Sequence, residues 1–199
     1  MTSARLVLAS ASPARLGLLR RVGIDPEVIV SGVDEDDVVG TPAAIVSMLA
    51  GRKATAVARS LVGRALVLGC DSLLDFEGEA LGKPSSPEEA VARWRAMRGR
   101  SGVLRTGHHL VEVSDGEMAD ERSVVVGTIV HFGTPSDAEI AAYVATDEPL
   151  HVAGAFTLDG LSGAFVDGID GCPSNVIGCS LPAVRTLLAA MGRSVTDWW

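Results

Sequence analysis

The chain contains no Gln at all, a single Asn (Asn175) and only two Lys (Lys53 and Lys83), although it has 17 basic residues, the rest being Arg. A chain this biased toward Arg is expected to keep Lys where a compact ammonium does something a guanidinium does not. Three Cys (Cys70, Cys172 and Cys179), an odd number with no CxxC pair, argue against a disulfide framework and against structural zinc. No stretch reaches the roughly 20 apolar residues a membrane span needs, and the start MTSARLVLAS carries only a short apolar run, so the expectation is a cytoplasmic protein with no membrane partner. A net charge of -8 argues against a general nucleic-acid binder, which needs a basic face. It leaves room for a small anion held by a few local cations.

What is present is a chain of 199 residues, 47% apolar, enough to bury a core and to form one domain, with or without two lobes. The pattern is mixed α/β. Strands are expected at 5–9, 26–30 and 65–69. A hairpin follows over 73–81 around Glu77-Gly78, and two long strands over 103–113 and 117–132 are joined at Ser114-Asp115-Gly116. Helices are expected from Pro13, Thr41, Ser86, Ser136 and Leu181, each with a cap or Pro at its start. The Gly-rich stretch 153–178 reads as short strands and loops, and the tail Trp198-Trp199 has no reading.

Several motifs carry chemistry. Ser10-Ala11-Ser12-Pro13-Ala14-Arg15 joins a strand to a helix, where hydroxyls, helix N–H groups and Arg15 can meet an oxyanion; the plain alternative is an N-cap and a solvated Arg. Gly69-Cys70-Asp71-Ser72 is expected at the end of a buried strand, where a carboxylate can hold Mg²⁺ or activate water, although a turn Asp is the simpler reading in isolation. Lys83, between Gly82 and Pro84, offers a compact charge on a defined loop, whereas Lys53 lies in a helix. In the acidic run 34–37, Glu35 is the member expected to face a metal, the other three being a solvated loop. Of the four His, the adjacent His108 and His109 should face opposite ways in a strand, and with His131 and His151 they suit packing or surface roles better than a shared metal site.

Taken in order, SASPAR, VDE, RKA, GCDS, GKP, AGAF and SNVIG resemble the Maf family, whose pattern runs SxSPRR, VDE, EKA, GADT, GKP, AGAYxIQG, SNVxG. The resemblance spans residues 5 to about 190. It implies an elongated α/β fold, a mixed sheet flanked by helices as in the inosine triphosphate pyrophosphatases, with a central cleft between two lobes. It also implies a single domain over 1–199 and a housecleaning enzyme, often a homodimer, that cuts a nucleoside triphosphate to monophosphate and pyrophosphate. By position, Asp71 corresponds to the catalytic acid/base and Glu35 to its acidic partner, the two sharing a divalent cation (Mg²⁺, Mn²⁺ or Co²⁺). Ser10, Ser12, Arg15, Lys53 and Lys83 correspond to substrate-binding residues that face the phosphates, and Ser72 and Asp159 to specificity positions.

Three residues depart from that pattern. Ala14 stands where the first Arg of a pair is usual, Ser72 where Thr is, and Asp159 where a specificity Gln is. Ionised Asp only accepts hydrogen bonds. It suits a base edge rich in donors, such as guanine or cytosine, better than uracil or thymine. The branch of the family acting on 7-methyl-GTP also has an acidic residue here and a similar sequence around Pro149-Leu150-His151, but a Trp where this chain has Ala14. Two rival readings stand beside the enzyme: a nucleotide-binding regulator of cell division or septum formation with little turnover, and a hydrolase using Cys70 as nucleophile, for which no His lies nearby in sequence.

Overall fold

The computed structural model describes residues 5–35 and 37–199; residues 1–4 and Asp36 of the acidic run lie outside it. The strands are β1 (Leu6–Leu8), β2 (Glu27–Val28), β3 (Ala65–Phe76), β4 (Glu79–Leu81), β5 (Ser101–Ser114), β6 (Glu117–Phe132) and β7 (Val166–Asp170). The helices are α1 (Pro13–Arg21), α2 (Pro42–Ala58), α3 (Pro87–Met97), α4 (Asp137–Val144), α5 (Pro173–Ile177) and α6 (Leu181–Ala190). One mixed sheet runs β2-β1-β3-β5-β6-β7, with β4 also paired to β3. β1 is parallel to β2 and β3, and every other pairing is antiparallel.

The expected helices form where their caps lie. Ser12, Thr41, Ser86, Ser136 and Ser180 each accept a hydrogen bond from a first-turn amide. Both hairpins turn on left-handed pairs, Glu77-Gly78 (φ 55 and 87) and Asp115-Gly116 (φ 55 and 84), whose twist matches that of the strands they join.

Two expectations change. Gly69-Cys70-Asp71-Ser72 does not follow a strand end, because β3 runs through it without a break to Phe76. The stretch 153–178 contains one strand, β7, together with single 3-10 turns and the helix α5, so SNVIG is helical rather than a loop. Its Gly content conceals both elements, since Pro173 starts α5 and Gly178, with φ 123, ends it within a single turn.

Two lobes share the long strands. In the first, β1 and β3 are buried on both faces, which explains their unbroken apolar runs. Leu6, Leu8, Leu66 and Leu68 pack with α1 and α6, while Val7, Ala9 and Val67 pack with α2. In the second, Trp94 of α3 meets Phe132, Tyr143 and Phe165 edge-on at centroid distances of 5.7 Å each. The tail also has a place. Trp198 packs against the first lobe, and Trp199 donates its indole N–H to the Val22 carbonyl (2.8 Å), closing the end of α1.

The sheet leaves a gap in one edge of β3. β1 pairs with β3 only as far as Leu68, and β4 pairs with it only from Leu74. Between them no strand among the described residues lies beside the edge of β3 over residues 69–73, so a ligand there can reach side chains from both faces.

Candidate active site

A cleft of about 910 Å³ opens at this gap, its walls including Ser10–Arg15, Glu35, Lys53, Asp71, Ser72, Lys83, residues 151–153 and residues 156–159. The structure therefore brings together every site residue expected from the sequence. Alternation along β3 splits neighbouring residues: Asp71 points to the α2 side and Ser72 to the α1 side.

On the α2 side, the helix lies directly on the sheet backbone. A Cβ on Gly69 would stand 2.3 Å from the Ala50 carbonyl oxygen, and one on Gly107 would stand 2.1 Å from that of Val46. Only glycine admits α2 this closely, and the approach carries Lys53 to the strand. Lys53 Nζ lies 2.6 Å from Asp71 Oδ1 and 2.8 Å from Glu35 Oε1. Lys53, expected to face phosphate, instead bridges the two carboxylates. Asp71 is 8% exposed, and burial raises its pKa above the ordinary value even though Lys53 and Arg15 pull it down. Of the remaining acidic run, Asp37 is ion-paired with Arg52 of α2 rather than simply solvated.

On the α1 side, Arg15 is fixed by three acceptors: the Gly178 carbonyl to Nε (2.8 Å), Ser10 Oγ to Nη1 (3.1 Å) and Ser72 Oγ to Nη2 (3.0 Å). Ser12 Oγ accepts the Arg15 amide at 3.4 Å, and Pro13 has no N–H, so the first turn of α1 offers an anion little beyond the Ala14 amide. Arg15 and the hydroxyls, more than the helix terminus, are the groups here that can hold an oxyanion. Lys83 and Asp159 are exposed on the cleft wall, and neither makes an ion pair among the described residues.

Asp71 and Glu35 also suit a divalent cation. Both are hard oxygen donors, and they already share one cationic group, the Lys53 ammonium.

The β3–β5 register reveals what the sequence could not. Cys70 stands opposite His108, and the ligand atoms of Cys70, His108 and Cys179 lie within 4.8 Å of one another. His108 and His109 do face opposite ways: His108 accepts the Ser180 amide (2.8 Å), while His109 meets Glu121. Burial and the Arg15 charge lower the His108 pKa to about 4, so the ring is neutral near pH 7. Cys70 and Cys179 are 0% exposed and His108 is 1% exposed, and none lines the cleft, so Cys70 has a His beside it but no access to substrate. His131 bonds Ser101 and Asp170, and His151 bonds Asp147 at the cleft.

Residues 5–191 match the family model of Maf-like protein. The chain belongs to the Maf-like family. It is 59% identical over 197 residues to the nucleoside triphosphate pyrophosphatase of Streptomyces coelicolor, covering 98% of this chain and 94% of that one. It is 50% identical over 205 residues to the protein of that name from Mycolicibacterium gilvum, covering 98% of each. Among solved structures, a dITP/XTP pyrophosphatase of Mycobacterium abscessus is similar over 64% of this chain and 72% of its own (TM-score 0.39, 16% identity). The Staphylococcus aureus Ham1 protein is similar over 65% and 72% (TM-score 0.43, 14% identity). No helix among the described residues of this Maf-like chain is long and apolar enough to cross a membrane.

Proposed function

We propose that the chain is a nucleoside triphosphate pyrophosphatase that hydrolyses the bond between the α and β phosphates, giving a nucleoside monophosphate and pyrophosphate. The observation that carries this reading is the gap in β3. It sets a buried carboxylate of raised pKa beside an arginine fixed on three acceptors, in one cleft. Arg15, Ser10 and Lys83 bind phosphate oxygens. Asp71, more basic than an ordinary aspartate, takes a proton from water as the water oxygen attacks the α-phosphorus. The phosphoanhydride bond breaks and pyrophosphate leaves with the bridging oxygen. Lys53 holds Asp71 and Glu35 in place and offsets their charge. A divalent cation (Mg²⁺, Mn²⁺ or Co²⁺) held by Glu35 and Asp71 would neutralise phosphate charge and polarise the reacting phosphoryl group.

The base faces Asp159, which accepts hydrogen bonds and so favours guanine or cytosine edges, including 7-methylguanine, over uracil and thymine. The substrate pool puts the enzyme in the cytoplasm. The homodimer implied by the resemblance belongs to the same reading, and light scattering decides it.

The experiment offers the purified protein ATP, GTP, CTP, UTP, dTTP and 7-methyl-GTP with Mg²⁺, Mn²⁺ or Co²⁺ and separates the products. Monophosphate plus pyrophosphate is expected, with dTTP and UTP not the fastest. Diphosphate plus free phosphate would mean attack at another phosphorus. Binding without turnover would favour the regulator.

A further inference from the structure

Behind Arg15 lies a chain of hydroxyls whose hydrogens can be assigned. Ser72 Oγ is 2.9 Å from Thr106 Oγ1, and Thr106 Oγ1 is 3.1 Å from the Asn175 carbonyl oxygen. A carbonyl has no hydrogen to give, so Thr106 donates to Asn175. The single hydroxyl hydrogen of Thr106 is then engaged, and the hydrogen between Ser72 and Thr106 must belong to Ser72. Ser72 consequently meets the Arg15 guanidinium with a lone pair. The chain runs in one direction, Arg15 to Ser72 to Thr106 to Asn175, and each link polarises the next. Its far end is rigid. Thr106 and Asn175 are both 0% exposed, and the Asn175 side-chain amide ties α5 to the Leu104 carbonyl (3.1 Å) and to Thr128 Oγ1 (3.1 Å).

We propose that Thr106 is a positioning residue for triphosphate binding: it acts through Ser72 to hold Arg15, and Ser72 turns no hydrogen toward the substrate. The proposal rests on the reading that Arg15 grips the phosphates. Ser10 differs from Ser72. Its oxygen accepts from the Ser12 amide (3.2 Å) and from Arg15 (3.1 Å), but its own hydrogen has no acceptor among the described residues. Ser10, like Ser12, is therefore a hydroxyl free to donate to a phosphate oxygen. If the Thr106 hydroxyl is lost, the Ser72 hydrogen loses its acceptor and can swing toward Arg15, whose N–H groups repel it. The guanidinium then loses one of its three fixed points.

The test is Thr106→Val, which keeps the shape and removes the hydroxyl, together with Thr106→Ser, Ser72→Ala and the double variant Ser72→Ala/Thr106→Val. The Asn175 carbonyl keeps the Gly178 amide (3.0 Å), so it is not left unpaired. Calorimetric titration with inorganic triphosphate needs no turnover, and KM and kcat are measured alongside it. Losing one acceptor on a charged donor should weaken triphosphate binding and raise KM about tenfold, with kcat changing less. Thr106→Ser should restore both to within about twofold, and Thr106→Val should add nothing in the Ser72→Ala background, since coupled links are not additive. Binding of Thr106→Val equal to that of the wild type, or full additivity in the double variant, would overturn the proposal. Wild-type protein that binds inorganic triphosphate but turns nothing over would instead overturn the enzymatic reading and leave this inference standing.

Discussion

At the scale of the single residue, Asp71 shows how the site sets function against stability. Its pKa is raised chiefly by burial, so the folded protein holds the proton more tightly than the unfolded chain does. The sign follows from linkage. The stability associated with this group is fully present below the unfolded value of 3.8 and is lost as pH rises through the higher folded value. Above the folded value the ionised carboxylate therefore works against folding. Asp71→Asn should lower kcat by roughly two to four orders of magnitude, as loss of a general base does. Measured in EDTA, it should melt at or above the wild-type temperature at pH 7, with the lead shrinking as pH falls toward 3.8. A variant that melts lower at pH 7 would mean that the Lys53 pair outweighs the desolvation of Asp71. Residue identity was the most legible level in the sequence. Asp71, Glu35, Arg15 and Lys83 were found from motif order, and all line one cleft. What escaped was partnership. Lys53 as the bridge between two carboxylates, Ser72 against Thr106 and Cys70 against His108 all depend on α2 packing or on the β3–β5 register, which no local pattern encodes.

At the scale of the element, the position of the site is decided by where neighbouring strands stop. The sequence placed Asp71 after a strand because chemistry-bearing loops usually follow strands. In the structure β3 continues, and β1 is the strand that ends, leaving an edge with no strand beside it among the described residues. A strand's own residues cannot report that its neighbour has left. The helix α2 presents the same lesson through glycine. Gly107→Ala would drive a Cβ into Val46 backbone atoms at 2.1 and 2.5 Å, which no side-chain rotation relieves. Overpacking of this kind costs about 1–3 kcal/mol, and because α2 carries Lys53 the variant should lose activity as well as stability. Gly17, inside α1, has nothing within 4 Å of its would-be Cβ. Gly17→Ala should therefore stabilise the protein by about 0.5–1 kcal/mol through helix propensity. Denaturant midpoints for the two variants should move in opposite directions. Movement in the same direction would show that α2 yields to the added methyl or that α1 is constrained elsewhere.

At the scale of the whole molecule, the two lobes are not independent bodies. β3 and β5 stay paired from Ala65↔Val113 to Asp75↔Val103, and the same two strands supply Leu66, Leu68 and Leu110 to one core and Leu74 and Leu104 to the other. Separating the lobes would mean breaking this ladder or bending it across the gap beside β3, so the cores should fold and unfold together. The three Trp residues allow a direct check, because Trp94 is buried in the second lobe while Trp198 and Trp199 close the first. In Trp198→Phe/Trp199→Phe, urea unfolding followed by Trp94 fluorescence should coincide with the far-ultraviolet circular dichroism transition of the whole chain. Coincident midpoints and slopes are the mark of one cooperative unit. If Trp94 reported an earlier or later transition, the second lobe would be a separate folding unit. The cleft would then lie on a hinge, and the fixed grip on Arg15 would have to assemble when substrate binds.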